Sequence, residues 1–156
     1  MSNTVAPPLH AIRAALAGID DPEYPGLSIV DLGLIVRSEI SDSGHVEVDL
    51  IPTFSGCPAL QMIADEVHST VEKLDGVDTV QVNWLHSPIW STDRVSEHGK
   101  KVLADRFTVA VQIGASASPC PRCSGHLTDR SMFGPSRCRS ISRCTKCGET
   151  VEVMRA

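Results

Sequence analysis

Residues 57–74 read CPALQMIADEVHSTVEKL, and within them Leu60, Ile63, Val67, Val71 and Leu74 recur three or four positions apart. That spacing puts five apolar side chains on one stripe of an α-helix. Pro58 suits a first helical turn, where its missing N–H costs no hydrogen bond, and Asp75-Gly76 supplies the stop. An amphipathic helix of this kind needs an apolar surface to cover, and the flanking sequence provides one. Upstream, residues 34–40 and the alternating Val46, Val48 and Leu50 read as two strands joined at Asp42-Ser43-Gly44. Downstream, Val80, Val82 and Trp84 alternate as a third strand. Leu9, Ile12, Leu16 and Ile19 predict a first helix that runs to about Ile19, behind Pro7 and Pro8 and ahead of Asp20-Asp21-Pro22. Residues 23–28 read as a loop. The order αββαβ predicts an α+β fold, a small sandwich with both helices on one face of the sheet.

A chain of 156 residues with 42% apolar and 21% charged residues is globular, and is long enough for one ordinary domain or two small ones. Two Trp, one Tyr and three Phe are too few rings for the usual stacking surface of single-stranded nucleic-acid binders. No run approaches the roughly 18 apolar residues of a membrane span, and residues 1–10 lack a basic segment followed by an apolar one. A cytoplasmic protein with no membrane partner is expected. Charge divides the chain: from Ser118 onward it carries +4, the remainder −9, and the whole −5. An acidic majority opposes nucleic-acid binding through the basic tail.

Five of the six cysteines fall in that tail. Cys120-Pro-Arg-Cys123 and Cys144-Thr-Lys-Cys147 are two C-x2-C pairs separated by residues 124–143, the spacing of a zinc ribbon. Each pair suits a tight knuckle directing two thiolates to one point, and four thiolates fill a tetrahedral shell at roughly 2.3 Å. Residues 126–132, 139–143 and 150–154 are the expected ribbon strands, with Phe133-Gly134-Pro135-Ser136 as a turn. Cys120, Cys123, Cys144 and Cys147 are thus the candidate zinc ligands. Iron in a similar four-thiolate shell is the alternative metal. Cys138 is a fifth thiol that can replace a ligand, serve a second site or fill the ribbon interior; it is read as nearby and non-essential. Between sandwich and ribbon, residues 87–105 include a polar stretch, helical from about Thr92, with Thr92, Asp93 and Ser96 as available caps. The small residues 114–118 place the domain boundary at 113/114: residues 1–113 with a helical extension from about 87, then an all-β ribbon over 114–156.

Cys57 stands apart. Directly before Pro58, it occupies the expected N-cap of the second helix, where uncapped N–H groups favour a thiolate and so a nucleophile or metal ligand. The preceding Thr53-Phe54-Ser55-Gly56 is a loop open to close approach. Asp20-Asp21-Pro22-Glu23 and Asp31 supply carboxylates that serve either to help hold iron or merely to build turns.

Asp21-Pro22-Glu23, the run from Ser28 to Leu34 and Thr53-x-x-x-Cys57-Pro58 together resemble the SufT-like iron–sulfur assembly domain. With Ser87-Pro88-x-Trp90-x-Thr92-Asp93, Phe133-Gly134, Cys138 and the two knuckles added, the chain resembles the PaaD family over nearly its full length. PaaD accompanies the multicomponent oxygenase that epoxidises phenylacetyl-CoA in aerobic phenylacetate degradation. The resemblance implies an accessory protein, not itself an enzyme, that matures or maintains an iron–sulfur or di-iron centre of a partner subunit. It further implies a transient iron or cluster contact at Cys57, with Asp21, Glu23, Asp31 and Thr53 as the supporting loop, zinc in the ribbon, and as partners an oxygenase or reductase subunit together with other assembly factors. The alternatives are a non-catalytic interaction subunit that holds such a complex together, and an assembly factor for another oxygenase.

Overall fold

The structure is a computed structural model describing residues 5–134 and 139–155. It divides into two compact units, Met1–Ile89 and Trp90–Ala156.

In the first unit the elements are α1 (Leu9–Ala17), β1 (Asp20–Asp21), β2 (Tyr24–Ser28), β3 (Ile35–Ile40), β4 (His45–Leu50), α2 (Ala59–Glu72) and β5 (Thr79–Trp84). The sheet order is β3-β4-β5, with β3 antiparallel and β5 parallel to β4, so α2 is the crossover of a βαβ unit. Val46, Val48 and Leu50 are fully buried beneath Ile12 and Leu16 of α1 and Ile63, Val67 and Val71 of α2. The expected αββαβ sandwich is present, with one addition. Residues 24–28, read from the sequence as part of a loop, form β2, which pairs with the two-residue β1. A strand this short carries no alternation to read. Leu27 and Ile29 close the core from this segment, both with no exposed surface.

The sheet face opposite the helices is polar and tightly bonded. Asn83 donates to Glu47 Oε1 at 2.9 Å and Asp49 Oδ1 at 2.8 Å, while Arg37 Nε donates to Asp49 Oδ2 at 2.8 Å. Asp49 is buried, yet its carboxyl is held below its ordinary value, by the Asn83 amide first and by Arg37 besides, with burial opposing both. A folded value below the unfolded one stabilises the protein above the unfolded pKa, and this contribution is lost as pH falls through the folded value. We expect the denaturant midpoint to fall on acidification below about pH 4. In Asp49→Asn that slope should be shallower; an unchanged slope would assign the acid sensitivity elsewhere.

The second unit contains a 3-10 turn (Thr92–Arg94), α3 (Glu97–Phe107), β6 (Val109–Val111), β7 (Leu127–Ser131), β8 (Arg139–Cys144) and β9 (Thr150–Met154). Of the three candidate caps Ser96 is the one used on α3, its Oγ accepting the Gly99 N–H at 2.9 Å. Thr92 instead donates its hydroxyl to the Gln112 carbonyl at 2.6 Å; helical structure opens there, as expected, but as the 3-10 turn, and α3 follows from Glu97. The three ribbon strands lie where the knuckle spacing put them, and a fourth joins them: the sheet order is β6-β9-β8-β7, with β6 parallel to β9. That pairing assigns β6 to the ribbon sheet. The division between units therefore falls at Ile89/Trp90, upstream of the boundary read at 113/114. Pro135, Ser136 and Cys138 lie outside the described residues. No helix among the described residues is long and apolar enough to cross a membrane.

Candidate functional site

Two places hold the predicted chemistry, one in each unit. In the second, the knuckles are built alike. At the first, Cys120 N–H donates to the Gly125 carbonyl at 2.9 Å and Ser124 N–H to the Cys120 carbonyl at 2.8 Å. At the second, Cys144 N–H donates to the Glu149 carbonyl at 2.9 Å and Gly148 N–H to the Cys144 carbonyl at 3.1 Å. Ser124 and Gly148 hold equivalent positions with φ of 61° and 76°, the left-handed conformation that glycine adopts more easily than serine. Gly125 is required for space, since a Cβ there would sit 3.0 Å from the Cys144 sulfur and 3.1 Å from that of Cys123.

These turns bring the sulfurs of Cys120, Cys123, Cys144 and Cys147 within 4.8 Å of one another. Two of the separations are 3.8 Å, for Cys120 with Cys147, and 3.4 Å, for Cys123 with Cys144. A tetrahedral ion with four sulfurs at roughly 2.3 Å requires separations of about 3.8 Å, so the donor set fits such an ion with little movement. Backbone N–H groups already point at the sulfurs: Arg122 at Cys120, and Lys146 and Cys147 at Cys144, at 3.4–3.5 Å. The N–H of Cys147, that of Lys146 and the neighbouring thiols bring the Cys144 thiol down to about 6 against the effect of burial. At Cys147 the Glu149 N–H also favours the thiolate, but burial and the thiols of Cys123, Cys144 and Cys120 outweigh it and push the group up to about 12. A thiolate is favoured at Cys144 and disfavoured beside it at Cys147, and a cation between the two would relieve that opposition. His126 is exposed and is not part of the cluster; its carbonyl accepts the Thr145 N–H at 2.9 Å.

In the first unit, Cys57 is half-buried at the end of an exposed turn, its N–H donating to the Phe54 carbonyl at 3.2 Å. The cap position falls on Pro58, one residue later than expected, but Pro58 has helical dihedrals (φ −65°, ψ −18°) and the Cys57 carbonyl accepts the Leu60 N–H at 3.3 Å. Cys57 therefore adjoins the open N–H end of α2. The loop is less open than its small residues suggested, because the Phe54 ring lies over Gly56, 2.8 Å from where a Cβ would stand. Thr53 is half-buried at the start of this loop.

The carboxylates of Asp20, Asp21 and Asp31 each bond within a turn. Asp21 is buried and its Oδ1 accepts the Glu23 N–H at 2.8 Å; Asp20 Oδ2 accepts that of Gly26 at 2.9 Å. Asp31 is bracketed by Ser28, whose Oγ accepts the Asp31 N–H at 3.0 Å and donates to Oδ2 at 3.2 Å. Among the described residues the ribbon cysteines are the one group of three or more candidate ligands close enough to share an ion, and Cys57, Asp21, Glu23 and Asp31 do not make a second. The fold does bring the acidic turn against α2: Asp20 and Pro22 line a groove of about 370 Å³ together with Met62, Ile63 and Glu66. Met62 is 62% exposed, and sequence reasoning passed over it although a methionine off the apolar stripe was the available signal.

Comparison with known proteins matches two stretches of the chain to two families. Residues 9–84 match the family described as iron–sulfur cluster assembly protein, and residues 105–155 match the PaaD zinc beta ribbon domain. The chain is 34% identical to an Escherichia coli (strain K12) protein named as one of the subunits of a "Putative 1,2-phenylacetyl-CoA epoxidase", across 94% of this chain and 92% of that one. It is 35% identical to the Fe-S protein maturation auxiliary factor SufT of Staphylococcus aureus, across 53% of this chain and 93% of that protein. A DUF59 domain of unknown function from Bacillus anthracis superposes with a TM-score of 0.59 at 28% identity, covering 62% of this chain and 92% of its own. A conserved hypothetical protein from Thermotoga maritima does so with a TM-score of 0.54 at 31% identity, covering 63% and 93%.

Proposed function

The chain belongs to the PaaD family, an iron–sulfur assembly domain followed by a zinc ribbon, and on that premise we propose that it is an accessory assembly factor which helps load a metal centre of an oxygenase or reductase subunit in the cytoplasm. The observation that carries this reading is the placement of Cys57: a half-buried thiol beside the open N-terminal end of α2, inside the region matched to iron–sulfur cluster assembly. Incoming iron or a cluster is cargo here, and a single thiol at a helix start holds cargo loosely enough to pass it on. Asp21, Glu23, Asp31 and Thr53 act by shaping the turns around the first unit's sheet and α2. The client is a subunit of a phenylacetyl-CoA epoxidase-type complex, by analogy with the E. coli relative's name.

In the ribbon, Cys120, Cys123, Cys144 and Cys147 hold zinc, whose role is structural: a closed four-thiolate shell leaves no position for chemistry. The ribbon then offers its surface to the client. A second reading, a pure interaction subunit, is favoured by one observation: the ligand set in the ribbon is complete in itself, while Cys57 has no comparable set around it. Purifying the client complex from cells with and without this protein tests the proposal. A complex assembled in full but deficient in iron supports the assembly factor, whereas one that falls apart with normal iron in its subunits supports the interaction subunit.

A further inference from the structure

Strand β3 is an edge of the three-stranded sheet, and its sequence is complementary to itself. The Ser41 N–H donates to the His45 carbonyl at 2.9 Å, and Glu39 and Arg37 lie opposite Glu47 and Asp49. Backbone groups alternate along an antiparallel pair, so residues 41, 39 and 37 bond to β4 while the N–H and C=O of Ser38 and Ile40 point outward. Antiparallel pairing of two β3 edges about Ser38 sets each Ser38 opposite its copy, in the position where both residues exchange N–H···O bonds. The same register sets Arg37 opposite Glu39 of the second copy and Val36 opposite its Ile40. The Arg–Glu pairs then occupy the non-hydrogen-bonded positions, where side chains are closest.

Within one chain Arg37 already bonds Asp49 at 2.8 Å and meets Glu39 at 3.2 Å, so pairing of two edges would exchange the Arg37–Glu39 contact along the strand for two across the axis. The side chains of Arg37 and Glu39 are 48% and 59% exposed. Val36 and Val30 are exposed apolar residues beside the edge, on a cleft of about 450 Å³ between α1 and β3 that Leu9 and Leu16 also line. Edges that must stay single are commonly guarded by charges that repel a second copy. An arginine and a glutamate two residues apart attract one instead. The other edge, β5, offers Thr79, Gln81 and Asn83 on the corresponding face and has no such charge pattern.

We propose that the protein forms a two-fold homodimer by antiparallel pairing of β3 about Ser38, with Arg37 and Glu39 reciprocally paired across the axis. The inference stands apart from the cargo assigned above, since the pairing uses none of the cysteines.

Sedimentation velocity on the full chain, from low micromolar to near-millimolar concentration, tests it. The wild type should show a concentration-dependent dimer, with the Ser38 and Ile40 amides gaining protection from hydrogen exchange as dimer forms. Glu39→Lys places like charges across the axis twice, and should weaken the dimer about tenfold or more. Ser38→Pro removes an outward N–H without touching the bonds to β4 and should abolish it. Circular dichroism on each variant confirms that the first unit remains folded. A wild type that is monomeric throughout overturns the proposal, as does a dimer that survives both substitutions. Protection of these amides only when the client is added would overturn it in favour of a client strand on the same edge.

Discussion

Removing the ribbon metal, by chelation or by Cys144→Ser, is expected to melt the β6–β9 sheet outright while residues 5–89 keep their structure. The buried cluster of the second unit around the centre consists of Ala110, Cys120, Cys144, Val151 and Val153, with Cys123 and Leu127 packed against it. Two of those five buried residues are candidate ligands, so the knuckle end of the sheet has little apolar interior apart from the metal site, while Leu103, Val109 and Met154 are buried elsewhere in the unit. Small domains of this size need such a staple, and structural zinc contributes on the order of 10 kcal/mol of apparent folding free energy in comparable sites. Elemental analysis should find close to one zinc per chain in the wild type and none in Cys144→Ser. Amide spectra should then show loss of the strand signals from 109–111, 127–131, 139–144 and 150–154, with those of the first unit retained. Cys138→Ser should keep its zinc, since four gathered sulfurs already complete the shell. Full zinc retention in Cys144→Ser, or full loss in Cys138→Ser, would mean that the ligand set is wrong.

Cys57→Ala should separate loading from folding. The Cys57 side chain is small and only half-buried at the start of α2, so its removal should cost about 1 kcal/mol, the usual cost of losing a cap. Zinc content and association with the client should be unchanged. Iron in the client, measured after purification from cells carrying only the variant, should fall severalfold, and oxygenase activity with it. Normal iron in that client would remove Cys57 from the transfer and leave the interaction-subunit reading in its place.

Periodicity made much of this fold legible. The stripe from Leu60 to Leu74 and the alternation of Val46, Val48 and Leu50 are repeated signals, and the helix and strand they define lie where the pattern put them. The ribbon was equally legible, because ligand spacing is a local constraint that survives any change in the residues between. What escaped were features without a repeat: the two-residue β1, the parallel β6–β9 pairing of residues some forty positions apart, and the burial of Asp49 on a sheet face that otherwise reads as solvated. At the Cys57 loop the sequence supplied the residues but not their partners. Asp21 and Asp31 turn out to bond within their own turns, an outcome that their positions beside Pro22 and Ser28 permit but do not dictate.

The parallel tie between β6 and β9 also bears on how the protein emerges from the ribosome. The first unit has all its strands once residue 84 is out, and can fold as the chain lengthens. The second cannot, because β9 lies between β6 and β8 in its sheet and is the last of its strands to be synthesised. At about 5–20 residues per second, Val109-Ala110-Val111 waits on the order of seconds with its pairing edge bare. During that interval the nascent ribbon offers an apolar strand to chaperones or to neighbouring chains, whether or not zinc is at hand.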